Sequence, residues 1–172
     1  AIDFELLSDQ VNAVLGLLSG RDLQVFTSGG EWRVTGDPLT PTSIQVKRQT
    51  RVGSRSDRYT APKVIDGATV FVGRTGDRLN EFNYSEVDGA YLTDDLTLLA
   101  KHLVTDVVEL DYQPSKRLLY CVQRDGSLAV LTQYRSEKVT AWSRVITHGQ
   151  ARAIAVIDPY VYLVVEREGG HF

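Results

Sequence analysis

What most constrains this chain is a glycine turn that returns at a nearly fixed interval. Thr27-Ser-Gly-Gly-Glu, Arg74-Thr-Gly-Asp-Arg, Arg124-Asp-Gly-Ser-Leu and Arg167-Glu-Gly-Gly-His each follow an apolar strand, and another apolar segment precedes that strand. Anchored on Gly30, Gly76, Gly126 and Gly170, the spacings are 46, 50 and 44 residues. A period in the mid-forties, built from a segment, a strand, a glycine turn and a further strand, is the pattern of β-propeller blades. The fullest unit is the stretch 118–145, where Asp125-Gly126 between two apolar runs predicts a two-residue type I′ hairpin. Both of its inner strands are apolar on both faces, so each sheet needs a neighbour on either side.

The expected fold is therefore all-β: a propeller-like array of about four blade units with one inserted helix. A β-sandwich is the alternative, although there turn signals recur every eight to twelve residues or so and one face of each strand is polar. The helix is expected over 91–103. Thr93 suits an N-cap, Asp94 and Asp95 sit where the helix dipole favours acids, and Leu96, Leu99, Ala100 and Leu103 share one face. Residues 1–7 alternate loosely and read as an edge strand. Either they complete the last blade of a four-bladed ring, or further blades lie beyond this segment. The absence of methionine and the ending Glu-Gly-Gly-His-Phe suggest a single propeller-like domain over 1–172 that is part of a longer polypeptide.

Composition narrows the function. A net charge of −3 argues against a dedicated nucleic-acid binder, and no apolar run reaches the eighteen or so residues of a membrane span. Cys121 falls inside a strand and reads as a buried, unreactive thiol. His102, His148 and His171 lack ligand spacing, and neither a Walker loop nor a Gly-x-Ser-x-Gly elbow is present, so no metal, cofactor or catalytic residue is expected.

The most unusual stretch is basic. Lys47, Arg48, Arg51, Arg55 and Arg58 face a single acid, Asp57, in an otherwise acidic chain. Such a loop suits phosphates, an acidic glycan or an acidic partner, and solvated charge is the ordinary alternative. Tyr59, Tyr84, Tyr91 and Tyr134 are the aromatics a glycan-binding module would use. Glu109 and Asp111 are the acids a propeller glycosidase would place in its channel.

Five segments, in order, resemble a family of tailed-bacteriophage structural proteins: the tail tubular or nozzle-like and packaged-DNA-stabilising components. They are Thr27-Ser-Gly-Gly-Glu-Trp, Gly67-Ala-Thr-Val-Phe-Val-Gly-Arg, Leu96-Thr-Leu-Leu-Ala-Lys-His-Leu, Arg124-Asp-Gly-Ser-Leu-Ala-Val-Leu-Thr and Val139-Thr-Ala-Trp-Ser-Arg. The resemblance implies a non-enzymatic virion protein, assembled in the host cytoplasm. It would form a ring with copies of itself and other tail or head–tail connector proteins around the DNA path, with the basic loop facing a neighbour or the DNA.

Overall fold

The computed structural model describes residues 12–167 together with 6, 170 and 171. Every regular element among them is a strand, and the strands form four antiparallel sheets, each made of consecutive strands. Blade 1 contains β1 (Val14–Ser19), β2 (Leu23–Thr27), β3 (Gly30–Thr35) and β4 (Gln45–Thr50). Blade 2 contains β5 (Lys63–Ile65), β6 (Ala68–Val72), β7 (Leu79–Ser85) and β8 (Ala90–Asp95). Blade 3 contains β9 (Val107–Gln113), β10 (Leu118–Gln123), β11 (Leu128–Tyr134) and β12 (Val139–Val145). Blade 4 contains β13 (Gln150–Ile157), β14 (Tyr160–Arg167) and β15 (Gly170–His171).

The four anchor glycines recur where the second strand of a blade gives way to the third: Gly76 and Gly126 lie in the connection, and Gly30 and Gly170 open the third strand. The turn itself differs from the expected type. Around Gly126 it spans residues 124–127, closed by the Gly126 amide on the Gln123 carbonyl, and only Gly126 has positive φ. The two-residue turn with positive φ at both positions lies instead at Asp66-Gly67.

The blades stack in sequence and bury one core per junction, so blades 2 and 3 use both faces. Phe26 of blade 1 meets Phe71, Phe82 and Tyr91 of blade 2. Ile65, Val70 and Leu79 of blade 2 meet Leu119, Cys121 and Leu131 of blade 3. Val122 and Leu128 of blade 3 meet Ala151 and Ile154 of blade 4. Three separate cores between four sheets are incompatible with a two-sheet sandwich. Cys121 lies in the second core, where burial pushes its thiol pKa up.

The expected helix over 91–103 is not there. Tyr91 and Thr93 are on β8, paired with Tyr84 and Phe82 across the sheet. Residues 96–103 then run as successive turns. Asp95 captures the Thr97 amide and hydroxyl, while Ala100 and Leu103 donate to carbonyls three residues back. Leu96, Ala100 and Leu103 do face the core, so the apolar spacing was real. Leu99, assigned to the same helical face, is 92% exposed. The Asp95 side chain and the cross-strand aromatics outcompete helix propensity. The edge strand expected at 1–7 lies outside the described residues.

Candidate functional site

The blades join through a repeated backbone contact. The first strand of one blade donates an amide to the turn glycine of the blade before it: Val107 to Gly76, 2.9 Å, and Ala151 to Gly126, 2.8 Å. These contacts draw together the first strands of blades 2, 3 and 4, so that β9 packs against β5 on one side and β13 on the other. What the first strands carry is therefore concentrated in one place.

There lies a cavity of about 250 Å³, lined among others by Arg58, Tyr59, Lys63, Glu109, Asp111 and Ile154. Glu109 and Asp111 are two residues apart on β9 and so share a face. Their carboxylates accept alternate amides of the β13 edge, Glu109 from Ile154 at 3.2 Å and Asp111 from Val156 at 2.7 Å. Asp111 also pairs with Lys63 of β5 at 2.8 Å, so one side chain ties three blades together. Burial pushes its pKa up, but Lys63 and the amides of Val156 and Tyr112 outweigh burial and hold it below the ordinary carboxylate range. Arg58 donates its Nε to the Val108 carbonyl at 2.9 Å, leaving the fork of its guanidinium for an anion. Tyr59, largely exposed, offers a ring at the rim. Larger grooves exist, such as the one of about 740 Å³ beside His148 and Arg167, but that one is formed by blade 4 and the segment leading into it.

The five predicted cations do not form one patch. Lys47 and Arg48 are on β4 rather than in a loop, and Arg48 lies over the Trp32 ring at 5.7 Å. Arg51 follows β4 at the surface. Arg55 is buried and turned inward, paired with Asp57 and Asp106 and donating to the Val107 carbonyl at 2.7 Å. Arg124 completes the network, reaching Asp106 at 2.5 Å and Asp57 at 3.3 Å. Only Arg58 reaches the cavity. Its partner there, Lys63, was missed because it sits on a three-residue strand with no local motif. Of the four tyrosines, Tyr91 is buried between blades, and Tyr84 packs edge-on against it under Arg21. Tyr134 carries Arg117 over its ring at 3.8 Å. Among the described residues no cluster of three or more metal-ligating side chains occurs, and no helix is long and apolar enough to cross a membrane.

No protein-family profile and no curated protein sequence matches the chain. Among solved structures it is similar to a Bacteroides uniformis protein described as a "putative 6-phosphogluconolactonase", at 14% identity and a TM-score of 0.56. The match covers 91% of this chain and 48% of the other, so the chain spans about half the length of that structure. Two expectations are corrected by this finding: a non-enzymatic phage conduit component, and the absence of enzymatic activity. The ring around DNA rests on the family resemblance, yet an architecture like this one belongs to a protein described as an enzyme, and fold does not carry function by itself. What the likeness establishes is the architecture, an all-β fold of the propeller type.

Proposed function

We propose that this chain contributes to a binding site for a small, anionic, polyhydroxylated ligand of the sugar-acid class, and that opening of a sugar lactone by water is the reaction it supports. The observation that carries the reading is the convergence of Arg58, Lys63, Glu109 and Asp111 on one cavity between three blades. The likeness to a protein described as a putative 6-phosphogluconolactonase suggests the substrate class.

Arg58 and Lys63 hold the anionic group, and the Tyr59 ring covers an apolar face of the sugar. Glu109, oriented by the Ile154 amide, takes a proton from water as its oxygen attacks the lactone carbonyl carbon. The carbonyl carbon–ring oxygen bond then breaks, and the ring oxygen takes the proton as a hydroxyl. Asp111, already neutralised by Lys63, has a positioning role.

The test is hydrolysis of a 6-phosphosugar lactone, followed by proton release above the spontaneous rate. Glu109→Gln is expected to lower kcat by roughly 100-fold, the scale of a lost general base. Arg58→Ala is expected to raise KM more than it lowers kcat. Hydrolysis at the spontaneous rate, with no heat of binding for the corresponding sugar acid, would overturn the reading.

A further inference from the structure

Along the first strand of blade 2 the chain is longer than its partner. Ser54 bridges Gly73 and Lys63 pairs with Val70, so residues 55–62 stand opposite only Phe71 and Val72. The first strands of blades 3 and 4 follow their partners with a single irregularity each. The surplus in blade 2 leaves the sheet as a strap and crosses to β9, where the Arg58 Nε donates to the Val108 carbonyl at 2.9 Å. Arg58, Tyr59 and Thr60 on this strap line the cavity between blades 2, 3 and 4. Arg58 is exposed, and Tyr59 is 66% exposed. A segment with so little buried surface of its own keeps its place only if its ends are held.

Both ends are held. At the far end Pro62 packs so closely on β1 that a β-carbon on Gly16 would fall 3.2 Å from the Pro62 Cδ. At the near end the buried Arg55 uses all three guanidinium nitrogens as a clamp. Its Nε and one terminal nitrogen donate to the two oxygens of Asp57 at 2.6 and 2.8 Å. The other terminal nitrogen donates to the Asp106 carboxylate and, at 2.7 Å, to the Val107 carbonyl at the entry to β9. Bidentate pairing of a guanidinium with a carboxylate fixes direction as well as distance. Asp57 immediately precedes Arg58, so the clamp sets the point from which the Arg58 side chain reaches out. Arg124 adds a second contact to Asp57 at 3.3 Å.

We infer, on the reading of the cavity as the site of an anionic sugar acid, that Arg55 and Asp57 are positioning residues for anion recognition. They fix the strap so that Arg58 presents its fork to the cavity, and neither of them lines it. Charge alone acts with the opposite sign. Asp57 is a carboxylate beside the anion-binding cation, so removing it tightens anion binding on Coulombic grounds. A role in placing Arg58 means that removing it weakens binding, because the ligand must then order a strap that is no longer preorganised.

Titration calorimetry with 6-phosphogluconate and NMR relaxation, both on the 172-residue chain, test this together. Asp57, with 59% of its side chain exposed, can be replaced without opening the joint between blades. Asp57→Ala is expected to weaken binding by about tenfold, the scale of one misplaced charge-assisted hydrogen bond. In an Arg58→Ala background the same change is expected to alter affinity by less than about twofold, because the two residues act through one contact. Arg55→Lys, which keeps the charge and loses the fork, is expected to weaken binding as well. The order parameters of the Arg58 and Tyr59 amides are expected to fall from the rigid range, about 0.85, toward about 0.6 in Asp57→Ala. Tighter binding by Asp57→Ala, an equal loss in both backgrounds, or unchanged order parameters overturns the inference. A parent chain that binds no 6-phosphogluconate, yet shows the same fall in order parameters, overturns the reading of the cavity and supports the clamp's hold on Arg58.

Discussion

Gly126 shows how tightly one residue can fix a joint. Its φ of 82° lies in the left-handed region, and a β-carbon there would fall 2.4 Å from the Gln150 Cβ. Gly76, at the same place in blade 2, has φ 81° and is crowded by the Arg55 guanidinium. The two differ in what must yield. A guanidinium end can swing aside, whereas the β-carbon of Gln150 is fixed to the backbone entering blade 4. Gly126→Ala is therefore expected to destabilise the chain by about 2 kcal/mol, more than Gly76→Ala, combining left-handed strain with overpacking. Chemical denaturation of the two variants side by side checks both the size and the order.

At the scale of the element, the stretch after β8 separates what periodicity reveals from what it hides. Leu96, Ala100 and Leu103 do face the core, as a helical spacing predicts, but consecutive turns place them there. A helix and a run of turns that each close over three residues produce nearly the same apolar period, so sequence spacing alone could not separate them. The discriminating signal was Asp95 followed by Thr97, a local capture of the backbone that competes with a helix. Leu99 is the residue on which the two descriptions disagree. Leu99→Lys is expected to leave stability within about 0.5 kcal/mol of the parent, as for other surface positions, while Leu96→Lys is expected to cost several times that. Thermal melts of the pair decide between them. The blade repeat itself was legible because its glycines recur between the second and third strands, and at Gly76 and Gly126 the left-handed backbone requires them. The cavity was only partly legible. Glu109 and Asp111 stood out as acids on an inner strand, but their meeting with Lys63 and Arg58 depends on how three sheets stack, which no local pattern encodes.

For the molecule as a whole, charges at the joints set the response to acid. Arg55 is the largest influence on Asp57 and holds its pKa at about 2, below the ordinary 3.8. Burial pushes Asp106 up, but Arg124 and Arg55 outweigh it and bring it below the ordinary value. Groups with depressed acid pKa values add stability that is complete above the ordinary value and is lost as pH falls toward the folded one. Glu31 and Glu81 act in the opposite sense. Burial raises both, against the Thr50 hydroxyl at Glu31 and Arg135 at Glu81, so their protonation in mild acid favours the fold. The melting temperature is thus expected to rise slightly as pH falls toward the ordinary glutamate value of 4.5, and to drop steeply below 3.8. Glu31→Gln should flatten the rise, and Asp106→Asn should weaken the drop while lowering stability at neutral pH. Melts recorded across that range test both signs. The amide that blades 3 and 4 each give to the turn glycine of the blade behind has a consequence for synthesis. That acceptor exists only after the earlier hairpin has closed, so blades 3 and 4 dock onto a template already made upstream. A chain emerging from the ribosome N-terminus first meets these joints in the order in which they can form, and a force applied at the C-terminus would undo them in reverse, one blade at a time.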